Sequence, residues 1–159
     1  VRALEARGLT CVPESARAII REHRGRPPLP RFAALMLDRD LARFRETEGP
    51  ALFDRSLVDA WATHRTPEGE RAVREHRLNG TAFIAPPWRA IYVQDAERDQ
   101  TWDQAIASHE LCARAYADAG YDLVELPCAD VETRADFVLQ VIRQALPASA
   151  RPGEGRVPS

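Results

Sequence analysis

Apolar residues along this chain fall into two kinds of run. Four are short and nearly unbroken: Leu9-Thr10-Cys11-Val12, Ala51-Leu52-Phe53, Ala82-Phe83-Ile84-Ala85 and Leu123-Val124-Glu125-Leu126. Each is too short for a helix and is bounded by glycine, proline or charge, which reads as a buried parallel strand. Between them the apolar positions recur at helical spacing. Residues 15–24 place Ala18 and Ile19 inward, with Ser15 as the expected cap. Residues 31–46 carry Phe32, Leu35, Met36, Leu37, Leu41 and Phe44 on an amphipathic helix whose alternating acids and arginines read as a solvated face.

The remaining helices announce themselves by their ends. Ser56 is placed to cap residues 57–64. Thr66-Pro67-Glu68 opens residues 67–77, a stretch so polar apart from Ala72 and Val73 that it should be exposed or loosely attached. Thr101 and Gln104 form a capping box for residues 102–119, where Trp102, Ile106, His109, Ala113 and Tyr116 share a face and His109 reads as a core histidine. Asp130 is expected to cap residues 131–146, with Val131, Ala135, Val138, Ile142 and Ala145 inward. Residues 1–7 resemble the end of a helix stopped by Gly8. Residues 25–30 hold three prolines and predict a connector. Residues 89–100 have few apolar anchors and suit a flexible cover over a site. Residues 147–159, rich in Pro, Gly, Ala and Arg, are expected to be disordered.

Four strands alternating with helices predict one α/β layered domain, residues 1–146, around a parallel sheet. Right-handed crossovers bring the C-terminal strand ends to one edge. Glu14, Asp54 and Pro86-Pro87 all fall there.

Composition changes this picture in few places. The chain has 159 residues and a formal charge of −2, enough for one core and too nearly neutral to recruit nucleic acid or an anionic membrane through a global field. No apolar run is long enough to span a bilayer, and no signal peptide is visible. Cys11, Cys112 and Cys128 are odd in number and widely spaced, which points to free thiols in a reducing, cytoplasmic compartment. The four histidines form no HExxH pair and the cysteines no CxxC, so a dedicated zinc site is not expected. All 22 basic residues are arginine; there is no lysine.

The densest candidate chemistry is Phe53-Asp54-Arg55-Ser56, with Asp59 one turn further on. An acid, a base and a hydroxyl at the end of an apolar strand stand where open α/β sheets bind ligands. In a phosphoryl-transfer site such a carboxylate holds a Mg²⁺-bound water or accepts a proton, and the guanidinium forks onto phosphate oxygens. The plainer reading is a strand end with a surface ion pair and a helix cap. Glu14 and Arg17 have two readings as well, as charge complements to the first turn of their helix or as ligands in the same cleft.

Four stretches together resemble a known family. They are Val12-Pro13-Glu14-Ser15-Ala16-Arg17; Phe53-Asp54-Arg55-Ser56 with Asp59; Ile84-Ala85-Pro86-Pro87-Trp88 followed by Ile91-Tyr92, Asp95 and Glu97-Arg98; and Gly120-Tyr121-Asp122-Leu123-Val124-Glu125-Leu126-Pro127 with Val131-Glu132-Thr133-Arg134-Ala135. In order and spacing, over residues 1–143, they are similar to the AAA-type ATPase/kinase domain shared with the NadR nicotinamide riboside kinase, a P-loop kinase type. The resemblance implies ATP and Mg²⁺ as cofactors and a small-molecule phosphoryl acceptor. It implies that Asp54 serves magnesium through water or acts as base, that Arg55 meets phosphate and that Arg98 is a lid arginine. Glu14, Arg17 and Asp59 would face the acceptor.

The resemblance also implies a three-layer fold with strand order 2-3-1-4-5 and a phosphate-binding loop after the central first strand. Residues 1–7 match the second half of the helix that follows that loop; the strand, the loop and its lysine have no counterpart here. The expected sheet is therefore two pairs of strands flanking a gap one strand wide, roughly 9–10 Å across given ~4.8 Å between neighbours. On this reading the 159 residues as given are inactive and poorly stable. The alternative is a degenerate, non-enzymatic relative whose cleft binds a partner or a small anion through arginines.

Overall fold

The computed structural model describes residues 1–92 and 101–145. In chain order the elements are α1 (Arg2–Glu5), β1 (Cys11–Val12), α2 (Ser15–Glu22), α3 (Leu29–Glu46), β2 (Leu52–Phe53), α4 (Leu57–Thr63), α5 (Pro67–Glu75), β3 (Thr81–Ile84), a 3-10 turn (Arg89–Ile91), α6 (Trp102–Asp118), β4 (Asp122–Glu125) and α7 (Val131–Ala145). The expected disorder of residues 147–159 and most of the cover segment lie outside the described residues.

The strands form two separate parallel pairs. β1 pairs with β2 in the register Cys11↔Leu52 and Val12↔Phe53. β3 pairs with β4 from Thr81↔Asp122 to Ile84↔Glu125. These are the pairings the resemblance implies, in two two-stranded sheets.

The core lies among helices. Leu57, Val58, Trp61 and Ala62 of α4 gather Val73 of α5, Ala115 of α6 and Tyr121 into one cluster. Ile19 of α2, Phe32 and Met36 of α3 and Ala60 of α4 make a second. α4 is thus buried on all sides, which suits its nearly continuous apolar sequence. Ser56 accepts from the Val58 N–H while Asp59 accepts from the Ser56 N–H, a capping box that fixes where α4 starts.

Several local expectations need correction. Ser15 is the first residue of α2 and not its cap; Glu14 holds that position without a side-chain capping bond. Instead the Ser15 hydroxyl donates to Asp40. The connector is shorter than three prolines suggest, because α3 begins at Leu29 with Pro30 in its first turn. A proline is tolerated there, since its missing N–H would have no intrahelical partner anyway. α5 is firmly seated: Gly69, Ala72 and Val73 are buried. A Cβ on Gly69 would stand 3.0 Å from Trp61 Cδ1, so the absence of a side chain lets the two helices approach. α3 is not wholly solvated on its charged side either, since Asp40 is buried. Val131, expected inward, is 55% exposed.

Candidate functional site

The two half-sheets face a common cavity of about 1390 Å³. It is lined by residues of β2 and β3, by the α6 face bearing His109, Cys112 and Tyr116, and by Trp88, Tyr92 and Trp102 near the end of β3. His109 is therefore a half-buried wall residue and not part of the core.

At the end of β2 the chain turns sharply. Arg55 has φ +72°, a left-handed conformation uncommon for a residue with a side chain. That turn separates the fates of its neighbours. Ser56 goes down into the α4 cap, whereas Asp54 stays exposed at the cavity edge. The Asp54 carboxylate has no hydrogen bond or ion pair among the described residues, which leaves both oxygens available to a hydrated cation.

Arg55 is held by acids on either side. Its Nε lies 3.0 Å from a Glu14 oxygen and its Nη1 lies 3.6 Å from Asp59 Oδ1. Burial works against the guanidinium charge, but Asp59 and then Glu14 outweigh it and the Arg55 pKa is raised. Glu14 also pairs with Arg17. Glu14 and Arg17 stand behind Arg55 and do not line the cavity, while Asp54, Arg55 and Asp59 do.

Asp59 is the hub of this cluster. Its Oδ2 accepts from the Ser56 N–H at 2.9 Å and from the Tyr116 hydroxyl at 2.7 Å. The Ser56 and Tyr116 hydroxyls lie 2.9 Å apart, and Cys112 Sγ is 4.0 Å from Asp59 Oδ1. Burial, reinforced by the Asp59 charge, raises the pKa of both Tyr116 and Cys112, so both stay protonated at neutral pH. Tyr116 is a fixed donor, and Asp59 is engaged by Ser56, Tyr116, Cys112 and Arg55 before any ligand arrives. The sequence showed Tyr116 only as one member of an apolar stripe. Its spacing of four from Cys112 was the one available sign that both would meet the same partner.

A second polar group joins α2 to α3. Asp40 accepts from Ser15, and Arg43 reaches the Pro13 carbonyl and, at 3.1 Å, Ser15 Oγ. Burial is the main cause that pushes the Asp40 carboxyl up. Arg98, Asp95 and Glu97 lie outside the described residues. Among those residues, no three His, Cys, Asp or Glu side chains gather into a metal cage, and no helix is long and apolar enough to cross a membrane.

In the cofactor fit, one half is present. Asp54 is suited to a magnesium-bound water, and Arg55 stands beside it. The phosphate-cradling half is not supplied by these residues, which include no lysine and no GxxxxGK[ST] run. No curated protein matches the chain, and no solved structure does. A match to a protein family covers residues 1–134, and the description of that family is AAA domain. The chain therefore belongs to the AAA domain family, whose members are of the nucleotide-binding P-loop NTPase type.

Proposed function

We propose that this chain belongs to an ATP-dependent phosphotransferase of the NadR-like type, acting on a small hydroxylated metabolite. The observation that carries this is the contrast between two neighbouring carboxylates, one at the end of β2 and one in the first turn of α4. Asp59 is saturated by protein donors, whereas Asp54 is exposed and unpaired at the end of β2. In this reading Asp54 is the acid for a magnesium-bound water or for the acceptor proton. Asp59 and Tyr116 hold the turn, and Arg55 presents its guanidinium to phosphate. Bound Mg²⁺ supplies charge neutralisation at the β- and γ-phosphates. Arg98 serves as the lid arginine, and Glu14, itself paired with Arg17, backs Arg55 from outside the cavity. The three-layer arrangement, with a central strand and phosphate loop supplied from outside the 159 residues, belongs to the same reading.

Two experiments test it. Titrating the 159-residue chain with Mg-ATP should give no micromolar binding, because the backbone nest and the cation for the phosphates are lacking. A protein extended by the in-frame codons preceding Val1 should bind ATP if those codons carry GxxxxGK[ST]. In that protein Asp54→Ala should lower kcat by about 10²-fold or more with Tm unchanged. Normal turnover by the variant in magnesium removes Asp54 from the chemistry. Unrelated sequence upstream favours the binding-module alternative, for which the missing lysine speaks.

A further inference from the structure

We propose that Ser15, Asp40 and Arg43 are positioning residues for Arg55, a polar pin between α2 and α3 that sets where the Arg55 guanidinium stands at the cavity edge. This deepens the reading above and rests on it only for the phosphate that Arg55 meets. Arg55 is gripped by two acids from different elements: Glu14 immediately precedes α2, and Asp59 lies in the first turn of α4. Arg55 Nε is 3.0 Å from Glu14 and Nη1 is 3.6 Å from Asp59. The guanidinium is a rigid plane, so it meets both acids only while the starts of α2 and α4 keep one separation. α3 packs on both helices. Ile19 of α2, Phe32 and Met36 of α3 and Ala60 of α4 form one apolar cluster, but apolar contact is non-directional. Asp40 and Arg43, neighbours on one face of α3, supply the direction. Asp40 accepts from the Ser15 hydroxyl, and Arg43 donates to the Pro13 carbonyl and, at 3.1 Å, to Ser15 Oγ. Pro13 and Ser15 bracket Glu14, so the chain is held on both sides of the acid that meets Arg55.

Three local preferences are broken around this pin, and all three bear on Arg55. The start of α2 is left without a side-chain cap: the Ser15 hydroxyl goes to α3, and Glu14, in the cap position, turns its carboxylate to Arg17 and Arg55. Asp40 buries a carboxyl on the face of α3 that meets Ser15. Arg55 takes φ +72° although it carries a side chain. Each departure costs stability, and departures of this kind gather at functional sites. A Ser15 that capped its own helix and an apolar residue in place of Asp40 would satisfy the fold equally well. They would leave Glu14 without a fixed direction.

The test follows the Arg55 Nε–H by NMR in the isotope-labelled 159-residue chain, its signal identified by its loss in Arg55→Lys. That proton faces Glu14, so its exchange with water reads the contact the pin is to hold. In the parent it should exchange about tenfold more slowly than that of the exposed Arg31, the ratio a charge-assisted hydrogen bond supports. Ser15→Ala and Asp40→Ala should each remove most of that difference while helical circular dichroism is unchanged. Asp40→Asn keeps an acceptor for the Ser15 hydroxyl and should keep the slow exchange, a rescue that a general loosening of the core does not give. If Asp40→Ala does not fold, Ser15→Ala decides. Fast exchange at Arg55 in the parent overturns the proposal, since there is then no grip to control. So does slow exchange that survives in Ser15→Ala, which would leave β1 alone to aim Glu14. Exchange in Asp40→Asn as fast as in Ser15→Ala overturns it as well. No nucleotide enters the experiment, so this proposal and the phosphotransferase reading fail separately.

Discussion

The helical and strand halves of this molecule differ in how completely they are finished. In the helical half Ile19 is 0% exposed and Val58 1%, and α4 touches α3, α5 and α6. In the strand half no residue of β1 to β4 is fully buried. Parallel strands usually read and behave as the most buried part of an α/β domain. Here the apolar strand sequences are ordinary and the burial is missing, so the deficit lies in what surrounds them. A helix satisfies its own backbone and needs only a side-chain partner. A strand needs neighbours on both edges, and β2 and β3 each have one.

The comparison predicts unequal responses to truncation. Trp61→Ala, in the α4 cluster, should cost about 3–5 kcal/mol and leave the chain largely unfolded at 37 °C by circular dichroism. Phe83→Ala, an aromatic truncation on the strand side, should cost under about 1 kcal/mol in a urea titration, since little burial is lost. Equal losses would erase the distinction between the halves.

Gly69→Ala tests the packing between α4 and α5. Alanine is the better helix former, yet its Cβ would press on Trp61 at 3.0 Å and on Thr66 Oγ1 at 3.3 Å. The expected net is a loss of about 1–2 kcal/mol, and a gain in Tm would show that α5 is loosely seated after all. Tyr116→Phe removes the donor to Asp59 and should cost about 1 kcal/mol, with the Arg55–Asp59 contact retained.

The smallest effect carries a pH signature. Asp40 has a raised folded-state pKa, so the native state holds its proton more tightly than the unfolded chain. Stability from this group is present below the unfolded carboxylate value and is lost as pH rises through the folded one. Asp40→Asn keeps an acceptor for the Ser15 hydroxyl and removes the ionisation. It should gain up to about 1 kcal/mol at pH 7 and flatten the stability curve in the acidic range. A variant less stable than the parent at pH 7 would show that the Asp40 charge, through Arg43, is favourable in place.

What the sequence made legible follows the range of the forces involved. Local signals survived: the cap at Ser56, the capping box at Thr101, the cap at Thr66 and the four apolar runs are all where short-range chemistry puts them. The exposure of Asp54 at the end of β2 was also legible, because a strand end and a helix cap bracket it. What the sequence hid depends on partners distant along the chain. Asp40 looks like one more charge on a solvated helix until α2 places Ser15 against it. Tyr116 looks apolar until α6 crosses the start of α4. The left-handed turn at Arg55 has no glycine to mark it. α5 looked loose because most of its residues are polar, but the small ones that matter are on one face.

The three tryptophans are distributed across this divide in a way that makes the molecule report on itself. Trp61 is sealed in the helical cluster with the Arg65 guanidinium stacked 3.7 Å above its ring. Trp88 and Trp102 line the cavity, and Trp102 meets Tyr92 edge-on at 5.3 Å. Intrinsic emission should therefore be a sum of two populations, one that acrylamide reaches slowly and one that it reaches at once. Filling the cavity would shift only the second population to the blue, so occupancy could be followed without a label, in the same trace that records whether the helical half stays folded.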